Sequence, residues 1–319
     1  MSNDSLQYRK VFDPPRQVEA VTSGSTEAGD QRRNVAYVYG DERIVLAVNV
    51  ALATQRPLLV RGPSGTGKSS LARSVADFMK WRFYESVVTS RTQARDLLWQ
   101  VDLLRRLHDA QSAKRRLVEG YLPYVVPGVL WWAFDEASAK AQRSRSLAGQ
   151  GLPRGMDPNR GRPHERAVVL IDEIDKADPD TPNNLLVPLG SLQFQVEETG
   201  QLVETVPERA PLIIITTNDE RELPQAFLRR CVELRLDHPE REWLLAIGRV
   251  QLPGLSEDLR VAVADAMLGA GGSKPTVSAA EYVDALRGCH ALAIQAGTPA
   301  FDKLLESTLW KHGRKSPNK

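Results

Sequence analysis

Cysteine is scarce in this chain of 319 residues; there are two, Cys231 and Cys289. They lie far apart and fit no metal-ligand spacing, so the expectation is two buried thiols in a reducing compartment. No apolar run approaches the roughly 18 residues that a transmembrane helix needs. The opening MSNDSLQYRKVFDPPRQ lacks the apolar stretch of a signal peptide. A cytoplasmic protein with no membrane partner is therefore expected. Charge of one sign is lacking as well: the net charge is +2, too balanced to imply nucleic acid by itself, so any basic surface must be local. No internal repeat is visible.

What is present is ordinary for a globular chain, with 42% hydrophobic and 26% charged residues. The length suits one large domain or two modest ones. Residues 1–33 are polar and read as a flexible arm. In DERIVLAVNVALATQ, Ile44, Val45, Val48 and Leu52 fall on one helical face. PLLVRG reads as a short buried strand, KSSLARSVADFMK as an amphipathic helix, and RFYESVV as another strand. This alternation predicts a parallel α/β sheet. Residues 93–119 read as helical. Residues 140–166 have no periodicity and carry seven Lys or Arg against two acidic residues, which reads as a long mobile loop. DTPNNLLVPLGSL reads as a helix with a threonine cap and Pro182 in its first turn. LQFQVEETGQLVETV alternates about Thr199-Gly200 as a β-hairpin, and APLIIITTN reads as a buried strand. From DHPEREWLLAIG onward the pattern is helical. The expected domains are an α/β subdomain over 34–238, with an insert and Arg-rich loop at about 99–166, a helical subdomain over 239–312, and a tail over 313–319.

Two motifs carry chemistry. GPSGTGKS (62–69) matches G-x-x-x-x-G-K-[ST] between a buried strand and a helix. Gly62, Pro63, Ser64, Gly65, Thr66, Gly67, Lys68, Ser69 and Ser70 are the candidate nucleotide-binding residues. The glycines let backbone N–H groups surround phosphate, and the helix start adds positive potential. Lys68 is placed for the β- and γ-phosphates, and Ser69 for Mg²⁺. VVLIDEID (168–175) ends a strand on Asp172 and Glu173, at the edge where open α/β sheets bind ligands. Asp172 is placed to hold Mg²⁺, directly or through water, and Glu173 to polarise an attacking water. Asp175, Asp178 and Asp180 read as helix caps and surface charges.

Asn218, ending IIITTN, could position the same water; a plain turn is the alternative. Arg229 and Arg230 close a short helix in ELPQAFLRRCVEL. A guanidinium there can stabilise charge on a transferring phosphoryl group, in trans if a neighbouring subunit supplies it. An ordinary pair of surface arginines is the alternative.

These four elements, in this order, resemble the AAA+ ATPases over roughly residues 35–310. The segment between SRTQARDLL and VVLIDEID, and the hairpin before TTN, are similar to the helix-2 insert and pre-sensor hairpin of the MoxR-type branch. The resemblance implies a P-loop NTPase large subdomain followed by a small all-helical lid, ATP and Mg²⁺ as cofactors, and a hexameric ring. Lys68 and Ser69 would be Walker A, Asp172 and Glu173 Walker B, and Asn218 sensor 1. Arg230 would be the arginine finger, with Cys231 standing where the family's L-x-R-F segment has Phe. Lys274 would be the sensor 2 residue. The family implies remodelling or maturation of a protein client, with a von Willebrand factor A-domain protein as a partner.

A nucleic-acid motor or nucleotide-driven defence component is the alternative, supported by the basic loop and by KRR at 114–116; the loop has no aromatics to stack bases. A nucleotide-gated scaffold is a third reading, opposed by the intact Glu173. YVVPGVLWWAF (124–134) reads as the resumed second helix, with Pro127 in its first turn and Leu130, Phe134 and Ala137 on one face. Adjacent residues point about 100° apart, so one of Trp131 and Trp132 is expected in the core and the other near the insert or a subunit boundary. Adenine is not expected to stack on either.

Overall fold

The computed structural model describes residues 8–15, 37–111, 120–146, 159, 162, 165–269 and 278–308. They group into two compact units, each discontinuous in sequence. One draws on Met1–Phe12, Ala47–Val60 and Val75–Leu234, and the other on Asp13–Leu46, Arg61–Ser74 and Arg235–Lys319. In chain order the elements begin α1 (Glu42–Thr54), β1 (Leu58–Arg61), α2 (Lys68–Met79), β2 (Arg82–Val87), α3 (Ala94–Leu98), β3 (Trp99–Val101) and α4 (Leu103–Gln111). Then come β4 (Val125–Pro127), α5 (Val129–Phe134), α6 (Glu136–Arg145), β5 (Ala167–Asp172), α7 (Thr181–Ser191), β6 (Gln193–Val196) and β7 (Gln201–Glu204). The last are β8 (Leu212–Thr217), α8 (Gln225–Leu228), β9 (Val232–Arg235), α9 (Arg241–Gln251), α10 (Glu257–Gly269), α11 (Ala279–Ala291) and α12 (Pro299–Thr308).

The first unit is built on a five-stranded sheet in the order β2-β5-β8-β1-β9. β5 runs parallel to both β2 and β8, pairing Val169 with Tyr84 and with Ile213. Burial of β5 and β8 on both faces explains their unbroken Val/Ile/Leu runs. The fold is thus the expected P-loop NTPase α/β class, with helices in the C-terminal region.

The region after α2 departs from the sequence reading. Residues 93–111 are not one helix, because Trp99–Val101 forms a strand antiparallel to Val125–Pro127. Pro127 therefore ends a strand, and Gly128 is the N-cap of α5. The helix expected to run on from there breaks at Asp135, whose side chain accepts from the Ser138 N–H and caps α6. That break moves the buried face from Ala137, which is exposed, to Ala139. The threonine cap of α7 is corrected too: Asp180 is the N-cap, and Thr181 and Pro182 are the first helical residues. The supposed loop 140–166 is helical as far as Arg145, and most of the rest lies outside the described residues. Within the expected arm, Phe12 is buried; the Asn49 amide bonds to the Val11 and Phe12 N–H groups and the Phe12 carbonyl.

The two tryptophans divide as expected. Trp131 is fully buried and donates to Ser138 Oγ at 2.8 Å. Trp132 is half-buried, with its ring 6.3 Å from Tyr84 and near the Arg143 guanidinium. The β6–β7 hairpin packs into the same aromatic cluster: Phe194 stacks on Trp99 at 5.8 Å and meets Trp131 edge-on at 6.2 Å. Trp99 also donates to Glu198 in the hairpin turn at 2.6 Å.

In the second unit, α9 to α12 enclose their own core around Leu244, Val263, Tyr282, Leu286 and Leu305. Helix α11 starts with a capping box between Ser278 and Glu281. Both cysteines are free and buried, and burial pushes the Cys231 thiol up to about 12.

Candidate active site

The phosphate loop follows β1 and opens α2, within the second unit. Its path demands glycine. Gly62 sits at φ 143, where a Cβ would lie 2.0 Å from the Leu236 carbonyl oxygen. Gly65 is at φ 76, and a Cβ there would meet Ser278 Oγ at 2.5 Å. Any L side chain would clash and be strained at both places. Lys68 is buried, and its ammonium donates to the carbonyls of Gly62 at 2.7 Å and Pro63 at 2.8 Å. Thr66 is buried and donates to the Pro63 carbonyl at 2.9 Å, whereas Ser64 and Ser70 are exposed. The loop is braced by the start of α11, where the Ala280 N–H donates to the Gly65 carbonyl at 3.3 Å. The sequence reading passed over Ser278, though S-A-A-E is a capping-box pattern. Lys274, expected nearby in sequence, lies outside the described residues.

The acidic edge lies in the first unit. The Thr216 hydroxyl donates to Asp172 at 2.5 Å and accepts the Glu173 N–H at 2.9 Å, so one residue of β8 fixes the Asp172 carboxylate and the Glu173 backbone. Glu173 is left-handed at φ 61, ψ 50, a conformation that costs a non-glycine residue about 1 kcal/mol or more. Its carboxylate accepts from Asn218 Nδ2 at 3.2 Å and from Lys176 Nζ at 2.7 Å. The hydrogen bond to Glu173 holds the Lys176 ammonium above the usual lysine range.

Asp175 overturns its reading as a surface charge. It is 3% exposed, and its Oδ2 accepts the N–H groups of Asn218 and Glu220, both at 3.1 Å. That pins the backbone from which Asn218 reaches Glu173. Asp178 does turn the chain locally, accepting the Asp180 N–H at 3.1 Å.

Arg229 and Arg230 are exposed and stand just before β9, at the N-terminal edge of the sheet. Asp172, Glu173 and Asn218 belong to the opposite, C-terminal edge. Among the described residues, no group of three or more His, Cys, Asp or Glu could hold a metal, and no helix is long and apolar enough to cross a membrane.

A buried parallel strand feeding a G-x-x-x-x-G-K-[ST] turn and a helix defines the chain as a P-loop nucleotide-binding protein. The family model of the AAA domain (dynein-related subfamily) matches residues 57–231. The chain belongs to that family and is accordingly an ATPase of the AAA+ class. Among solved structures, it is similar to the Thermotoga maritima RuvB Holliday junction branch migration motor at 15% identity, covering 83% of this chain and 67% of that one with a TM-score of 0.45. A point mutant of the same RuvB is 14% identical over 84% of this chain and 69% of that one, with a TM-score of 0.47. No curated protein matches.

Proposed function

We propose that the chain is a MoxR-like AAA+ ATPase that works as a homo-oligomeric ring, a hexamer, in the cytoplasm, and uses ATP hydrolysis to remodel or mature a protein client. The observation that carries this reading is the division of groups between the two edges of one sheet. Asp172, Glu173 and Asn218 are tied together at one edge, and Arg229 and Arg230 are exposed at the other. An arginine that far from its own chain's acidic edge suits a neighbour's phosphates.

The residues suit MgATP. The glycine-dependent path of 62–67 is the kind of backbone that presents N–H groups to phosphate. Mg²⁺ keeps few protein ligands and completes its shell with phosphate oxygens and water, which agrees with the lack of an acidic cage among the described residues. MgATP, when bound, supplies an electrophilic γ-phosphorus to water. Lys68 would neutralise phosphate charge, and Ser69 and Asp172 would hold the metal. Glu173 would take the proton of the attacking water, while Asn218 orients its carboxylate. Arg230 would act in trans, with Arg229 beside it, and Lys274 would serve as the sensor 2 residue. The segment 239–312 would act as the lid, and a von Willebrand factor A-domain protein would be the partner.

The test is phosphate release against protein concentration. Specific activity should rise as the ring assembles; full activity in a verified monomer would overturn the reading. Partners captured with Glu173→Gln and ATP should be proteins. DNA-stimulated, salt-sensitive hydrolysis would favour the nucleic-acid motor, whose support is the basic stretch 140–166.

A further inference from the structure

Arg56, between α1 and β1, has no part in the motifs, yet its side chain makes three hydrogen bonds at the N-terminal edge of the sheet. Its Nε donates to the Arg230 carbonyl at 3.1 Å. Its Nη2 donates to the carbonyls of Arg229 at 2.5 Å and Cys231 at 2.8 Å. The next residue is tied as well, since the Val232 N–H donates to the Pro57 carbonyl at 2.8 Å. Four bonds thus fix Arg229–Val232 against Arg56-Pro57. The three carbonyls belong to residues just past α8, which has four residues and ends at Leu228, so the helix supplies them no N–H partner. A planar guanidinium with five donors can serve several of them from one position; a lysine ammonium lacks that fixed fork.

We propose that Arg56 is the positioning residue of the trans-acting arginine: it fixes the backbone from which Arg230 reaches a neighbouring subunit. The inference rests on the reading of Arg230 as a residue supplied in trans. The Arg230 side chain is exposed and long, so its aim depends on its anchor. A displacement near 1 Å at a group of this kind can cost about 10²-fold in rate.

Mixed oligomers test this. Arg230→Ala subunits keep Glu173 and lack the arginine; Glu173→Gln subunits keep the arginine and lack the base. Mixing the two should regain ATP hydrolysis. Arg56→Gln added to the Glu173→Gln subunit should cut the regained kcat at least about tenfold, with KM for ATP unchanged. The same substitution added to the Arg230→Ala subunit should change it less than about twofold, since that subunit has no arginine to aim. Equal losses on both sides would mean that Arg56 acts only through stability and would overturn the proposal. So would full activity with the substitution on the Glu173→Gln side. Arg56→Lys, which retains the charge without the fork, guards against misfolding of the Gln variant and should also lose activity on that side alone. If the unmodified pair regains nothing, the trans reading itself has failed, and the role of Arg56 fails with it.

Discussion

The two edges of the central sheet solve opposite problems. At the C-terminal edge, polar side chains bond to one another: Thr216 holds Asp172, and Asn218 and Lys176 share Glu173. At the N-terminal edge, side chains hold backbone, and the arginine pair is left exposed above it. The first arrangement fixes side-chain atoms directly. The second fixes only their anchor and leaves the atoms free to meet something outside the chain. A catalytic group that serves its own nucleotide can be preorganised within the fold, whereas one that serves a neighbour must stay available.

The largest expected effect separates the edges by stability. Arg230→Ala should lower kcat on the order of 10³-fold, as removal of a trans arginine does, and leave the melting temperature unmoved because the side chain is exposed. Arg229→Ala should cost far less, and equal losses from both would blur the assignment. Next, Glu173→Gln should cost about 10²-fold or more in phosphate release while nucleotide binding persists. Retained turnover would remove Glu173 from the chemistry.

Asp175→Ala should reverse the balance, with a loss of about 3 kcal/mol in stability, because two N–H groups lose a charged acceptor in a buried place. Asp175→Asn, which keeps an acceptor oxygen, should restore most of it in denaturant unfolding.

The smallest effect lies outside both edges. Hydrogen bonds from Arg249, then Arg260, hold the Glu257 carboxyl below its ordinary value of 4.5. The stabilisation is therefore present above that value and is lost as pH falls through the depressed one. Thermal scans between pH 6 and 3 should show a decline that Glu257→Gln lessens.

The phosphate loop, the acidic pair and the alternation of strands were legible because each is written in a few consecutive residues. Asp175 was not: its partners are the N–H groups of Asn218 and Glu220, more than forty residues away, and a backbone N–H leaves no mark on a sequence. Arg56 escaped for the same reason, its partners being three carbonyls. The strand Trp99–Val101 was read as helix because its pairing with Val125–Pro127 is non-local, and tertiary context overrode a local pattern. The break at Asp135 needed its capping geometry to be seen.

The left-handed turn at Glu173 sets selection for robustness against selection for turnover. Glycine takes that conformation freely, and asparagine nearly so. A library sorted for heat resistance alone should therefore drift toward these residues at 173, and its hardiest members would be those that can no longer hydrolyse anything.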